Sequence, residues 1–235
     1  IWGKYAKKNW IFGYEAYLTN GFDEQIINNT ENKTFLPASK LNPDRFEENT
    51  NGSHLFTGKI AMRNRKFGEI GLSTMQGIYN KFVDDGLILD EKRAIRVWAI
   101  DFNTTLPKLN TFINGEWAWV VVNVPETFTQ QYGNRQSGGF IDIVQPVIKR
   151  KIFGFDNAVV NLACRLEFVD WNIGKFKETG DPIGDKIWAI VPALSFRPSV
   201  QTVLRLNYRY HAQTDILGNP AALTAGFQFG LASYF

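Results

Sequence analysis

The chain has one cysteine, Cys164, and two histidines, His54 and His211, among 235 residues. A lone cysteine excludes an internal disulfide, and no Cys/His cluster has metal-ligand spacing. Long apolar runs are also missing. Hydrophobic residues make up 44% of the chain, yet none of its runs approaches the roughly 20 apolar residues that a spanning helix needs. The net charge is only +3 and is scattered, which excludes a nucleic-acid surface. No glycine-rich phosphate cradle or scaffolded carboxylate pair occurs, so no cofactor and no enzymatic activity are expected. Ser53 adjoins His54 and Asp215 follows His211, but adjacency in sequence is not catalytic geometry. Both histidines read as solvated rim residues. The chain begins at Ile1 with no charged-then-apolar leader, so any export signal has been removed or lies outside it.

What the chain does have is alternation. From Ala222 to Phe235 it reads ALTAGFQFGLASYF. On a strand, Leu223, Ala225, Phe227, Phe229, Leu231 and Phe235 then share one face, and Thr224, Gly226, Gln228, Gly230, Ala232 and Tyr234 share the other. A strand crossing a membrane as part of a barrel needs about 9–11 residues, half of them apolar. The mean hydropathy of −0.21 is compatible with such strands. Aromatics reach 14%, and Trp and Tyr recur near the predicted strand ends, where amphipathic rings favour the membrane–water interface.

The same sorting appears upstream. Val200, Leu204, Leu206, Tyr208 and Tyr210 face one way, and Gln201, Arg205, Asn207, Arg209 and His211 the other. Each arginine would cost roughly 2–4 kcal/mol on a lipid wall near the midplane, so the charged set must face water. Likewise Val160, Leu162, Cys164, Leu166 and Phe168 point outward and Asn161, Arg165 and Glu167 inward. Trp117, Trp119 and Val121 oppose Asn114 and Glu116, and Trp10, Phe12, Tyr14 and Leu18 oppose Glu15. Arg96 falls on the outer face near a strand end, where it can snorkel. Phe140–Lys149 is ambiguous, and Asp142 is turned inward because a carboxylate in lipid is the costlier choice.

Connections alternate between short and long. The short ones lie at Lys7–Asn9, Asn64–Lys66, Thr105–Leu109, Lys151–Asp156 and Arg197–Ser199. The long ones lie at Asn20–His54, Asn80–Lys92, Pro125–Gly138, Asn172–Gly184 and Gln213–Ala221. Outer-membrane barrels keep this asymmetry, with short periplasmic turns and longer extracellular loops. Gly138-Gly139 reads as a turn leading into a strand, and the Asn-x-Thr/Ser triplets of Asn20–His54 read as chance matches. The expected fold is one all-β domain over 1–235, an antiparallel transmembrane barrel with about ten strands and a fragment at Ile1–Ala6.

Several stretches resemble the phosphate-selective porin O and P family: Phe67-Gly-Glu-Ile-Gly-Leu-Ser73, Gly77-Ile-Tyr79, Ala99-Ile-Asp101, Gly115-Glu-Trp-Ala118, Arg165-Leu-Glu-Phe-Val-Asp170, Ser195-Phe-Arg-Pro198 and Leu206-Asn-Tyr208. Tyr14-Glu-Ala-Tyr-Leu-Thr-Asn-Gly21 resembles a strand near the middle of the family's barrel. The resemblance implies a barrel of roughly sixteen strands, of which this chain is the carboxyl-terminal part, incomplete at its amino terminus and without the inward-folded constriction loop. It also implies a homotrimer in a Gram-negative outer membrane. The family's anion selectivity rests on a basic ladder that has no match here, so phosphate is not carried over.

The expected pore-lining set is Glu15, Lys59, Arg63, Glu69, Arg93, Asp101, Glu116, Asp142, Arg165, Glu167, Arg205 and Arg209. Acidic and basic members balance, which suits small hydrophilic solutes or ions without a strong sign preference. The expected function is therefore passive diffusion through a porin, with outer-membrane lipid and the solute as partners. A non-conducting barrel that serves as a subunit of a membrane complex, with Asn20–His54 as its partner surface, is the alternative.

Overall fold

A computed structural model describes residues 1–41, 53–129 and 132–234. Alternating sequences become strands almost throughout: β1 (Trp2–Lys7), β2 (Trp10–Asn20), β3 (His54–Asn64), β4 (Gly68–Ile78), β5 (Val83–Asp84), β6 (Leu87–Ile88), β7 (Ala94–Leu106), β8 (Thr111–Val122), β9 (Arg135–Ile152), β10 (Phe155–Asp170), β11 (Lys186–Arg197), β12 (Thr202–Gln213) and β13 (Ala222–Ser233). Two 3₁₀ turns, Glu24–Ile26 and Leu36–Leu41, interrupt the connection after β2. No described helix is long and apolar enough to cross a membrane.

Eleven strands form one sheet in the order β1-β2-β3-β4-β7-β8-β9-β10-β11-β12-β13. Every pairing in it is antiparallel between neighbours in that order. β1 and β13 are its two edges, and the sheet is not closed into a barrel. The expected ten strands and the amino-terminal fragment thus correspond to β2–β4, β7–β13 and β1. Short and long connections alternate between the strands of the sheet as expected, but the bounds differ: β9 takes in the last four residues of the expected Pro125–Gly138 connection, the expected Lys151–Asp156 turn shrinks to Phe153-Gly154, and Asn80–Lys92 contains the β5–β6 hairpin.

Local chemistry explains the irregularities. Phe153-Gly154, with φ of 49° and 86°, makes a two-residue turn between β9 and β10 whose twist matches that of the strands. Val147 is an extra residue in β9, because Pro146 pairs with Asn161 while Ile148 pairs with Val160. The resulting bulge accounts for the ambiguous pattern read there. Pro192 lacks an N–H, and the β11–β12 register skips Val191 and Pro192. Gly138-Gly139 does not form a turn. Both residues lie inside β9, where a Cβ at Gly139 would collide with the Glu116 carbonyl and the Trp117 ring. Across Gly139, Trp117 and Phe168 stack with their ring centroids 5.9 Å apart.

Among the described residues, the one cluster of buried hydrophobic side chains lies at the long-connection end. Ile26 and Ile27 from the β2–β3 connection pack with Tyr79, Ile95 and Val122.

Candidate functional site

Residues directly opposite each other in an antiparallel ladder point to the same face, so the registers sort the side chains. Glu15 faces Lys59, and Arg63 faces Glu69. Asp101 faces Glu116, Asp142 faces Arg165, and Arg205 lies opposite Gly230. Following these registers across the sheet puts Glu15, Lys59, Arg63, Glu69, Asp101, Glu116, Asp142, Arg165, Glu167, Arg205 and Arg209 on one face, called here the charged face. Arg93 differs from the rest of the expected set. It precedes β7 and is tied bidentately to Asp90 at 2.6 and 2.9 Å, within the connection after β6. That guanidinium holds the Asp90 carboxyl below the usual aspartate value, helped by the Glu91 backbone N–H and the Asn80 side chain.

The opposite face is apolar. It carries Ile70, Leu72, Ile100, Leu162, Leu166, Leu194, Leu206, Phe227 and Phe229, which are all exposed. Its charges sit at strand ends. Arg96 is the third residue of β7 and Arg135 the first of β9. Asp170 ends β10 and meets Lys186 at the start of β11 at 3.3 Å.

Two ion-pair networks run over the charged face. Lys59 on β3 reaches Asp101 on β7 at 2.8 Å, and Arg63 reaches Glu69 at 2.6 Å. The first bridge spans the intervening strand because Gly71 stands beneath it. A Cβ there would lie 2.5 Å from an Asp101 oxygen and 2.7 Å from the Lys59 Cε. On the other side of the sheet, Arg165 binds Asp142 through two 2.6 Å contacts and lies over the Phe140 ring, its guanidinium carbon 4.3 Å from the centroid. Glu167 joins it to Arg209, whose own contact is 2.6 Å. Planar guanidinium–carboxylate forks of this kind hold geometry better than a lone lysine pair. Among the described residues, no ion pair involves Glu15, Glu116 or Arg205.

One contributor to this face was not expected from the sequence. The connection after β2 runs across the charged face as a strap. Ile26 and Ile27 bury against Ile95 and Val122 of β7 and β8. Further along, the Gln136 side chain of β9 donates to the Thr34 carbonyl at 3.1 Å. Lys33 pairs with Asp185 at 3.5 Å, and Phe35 meets Trp171 edge-on. From β2 to β11, which Asp185 immediately precedes, is seven steps in the strand order, or about 34 Å along the sheet at roughly 4.8 Å a step. Glu24 fixes the near end by accepting from the Lys81 backbone N–H at 2.8 Å. The described part of the expected partner surface is therefore folded onto the chain's own sheet, while residues 42–52 lie outside the described residues. The sequence signal that could have suggested the strap is the Phe22, Ile26, Ile27 and Leu36 set, which is too apolar for a freely solvated loop.

His211 sits on the charged face of β12, two residues from its end, and its Nδ1 is buried without a hydrogen-bond partner. Asp215 instead accepts from the Asn219 backbone N–H at 3.0 Å and its side-chain amide at 2.6 Å, so an Asp215–His211 pair is not formed. The Asn219 bonds draw the Asp215 carboxyl below its usual value. His54 begins β3 and is exposed.

No protein family, no curated protein and no solved structure matches the chain.

Proposed function

We propose that this sheet is part of the wall of a bacterial outer-membrane β-barrel through which small hydrophilic solutes or ions diffuse, with the charged face lining the lumen and the apolar face in lipid. The observation that carries this reading is the separation of faces, kept in register across eleven strands, with charges on the apolar side only near strand ends. A soluble sandwich would have to bury that apolar face in a core, and nothing in the described chain covers it.

The dimensions agree with a membrane. Trp188 and Phe196, both on the apolar face, are eight residues apart on β11, roughly 26 Å along the strand, or about 20 Å of height at a tilt near 40°. Aliphatic Ile190 and Leu194 lie between them. Trp98, Trp117, Trp119 and Tyr210 extend the upper aromatic band, and Trp10, Phe67, Phe153 and Phe155 the lower one. Outer-membrane barrels have an apolar band about 25 Å tall between two such girdles.

Lipid also forbids open strand edges, because each unpaired backbone group there costs several kcal/mol. In this reading β1 and β13 both run toward the short-turn side, so an all-antiparallel closure takes an odd number of further strands between them. That requirement fits the roughly sixteen strands of the porin resemblance, since five further strands would complete that number; the homotrimer rests on the resemblance alone. The strap favours a second reading, a non-conducting barrel in a membrane complex, because it covers part of the lumen mouth.

Planar-bilayer recording separates the two. Discrete open-channel steps from correctly folded protein are the expected result, and persistent silence would sink the pore reading in favour of the complex subunit.

A further inference from the structure

The charged face holds a cavity of about 570 Å³ beside β1. Trp2, Lys4, Glu15, Lys59, Arg63 and Glu69 form its functional lining, and Gly13 and Ala61 give it depth. We propose that this cavity is a binding subsite for a neutral polyhydroxylated solute, an oligosaccharide segment, on the wall of the pore. The proposal rests on the pore reading and names its substrate class.

Charge pairing sets the chemistry. Lys59 is held by Asp101 at 2.8 Å and Arg63 by Glu69 at 2.6 Å, which leaves Lys4 as the one lining cation without an ion pair among the described residues. A phosphate entering here would meet that single lysine, with Glu15 and Glu69 beside it. A metal ion would meet three cationic side chains. Glu15 accepts from the Tyr17 hydroxyl at 3.3 Å and keeps further acceptor positions. The lining therefore offers donors and acceptors in near-equal number with almost no net charge. Sugar hydroxyls, each both donor and acceptor, can use both kinds.

The ring of Trp2 supplies what ions do not need. It lies opposite Glu15 in the β1–β2 register and is 71% exposed. A broad apolar ring face next to carboxylates and ammonium groups matches the two-sided surface of a pyranose, with its C–H face and its hydroxyl edge. The volume falls within the usual 300–1,000 Å³ range of small-molecule sites.

The test uses protein purified in detergent and reads the heat of binding by titration calorimetry with maltohexaose, with inorganic phosphate as the competing probe. A saturable change with maltohexaose is expected, and none with phosphate at the same concentrations. Trp2→Ala should weaken sugar binding at least about fivefold, the scale of one lost aromatic contact. The near-isosteric Glu15→Gln should weaken it while leaving the circular-dichroism spectrum unchanged. No saturable change with sugar, tighter binding of phosphate, or indifference to both variants would overturn the proposal. Because the readout does not need conduction, silence in bilayers would count against the pore without deciding the sugar site.

Discussion

Tyr79, one residue beyond β4, is fully buried, and its hydroxyl donates to the Asn123 carbonyl at 2.7 Å. Burial raises its phenol well above the ordinary value of 10.0, and the nearby carboxylates of Asp90 and Glu24 add to the shift while Arg93 opposes it. The folded state therefore favours the neutral ring. Its contribution to stability is complete below pH 10 and is lost as the pH rises toward the folded value, because only the unfolded chain releases the proton in that window. Tyr79→Phe should cost about 1 kcal/mol at neutral pH, the usual worth of such a hydrogen bond. It should also flatten the decline above pH 10. Denaturant unfolding of both proteins in vesicles at pH 7.5 and pH 11 checks this, and an unchanged alkaline slope would contradict it. Gly71 shows a different kind of residue-scale effect. It contributes no side chain, and for that reason Lys59 and Asp101 can meet across it.

Among the elements, the strands were largely legible and the strap was not. Arg205 and Arg209 alternating with Leu204, Leu206 and Tyr208 assign both faces of β12, since a slip of one residue would move the arginines into the apolar surface. β9 was less legible because the Val147 bulge breaks the alternation and because Gly138-Gly139 can signal a turn or close packing equally well. In the structure close packing wins, with the Trp117 and Phe168 rings meeting over Gly139. Asp85-Gly86 carries the strongest short hairpin signal and does turn β5 into β6, with φ of 46° and 84°. Its setting in a long polar connection, with only two residues in each strand, hides it from the alternation pattern. Parity alone places Arg93 on the charged face and does not encode its capture by Asp90. The strap depends on contacts with β7–β11, far away in sequence, and local pattern does not encode these. Among its far-end contacts are Gln136 with Thr34 and Asp185 with Lys33. Combining Gln136→Ala with Asp185→Asn should release that end and speed trypsin cleavage after Lys33, read by mass spectrometry. Equal cleavage rates would mean that the apolar contacts of Ile26 and Ile27 hold the strap unaided.

For the molecule as a whole, what covers the apolar face decides between a membrane wall and a buried core. Trp10, Trp98, Trp117, Trp119 and Trp188 all lie there, and the sheet has no second layer over them in the described chain. If lipid covers that face, these rings sit within reach of acyl chains; if a core or a partner covers it, they do not. The most direct measurement is tryptophan emission of the protein reconstituted in vesicles whose acyl chains carry bromine. A lipid-covered apolar face gives strong quenching relative to unbrominated vesicles, with most of the loss coming from the apolar-face rings. Emission unchanged by bromine, from protein that stays folded and monomeric in plain buffer, would contradict it.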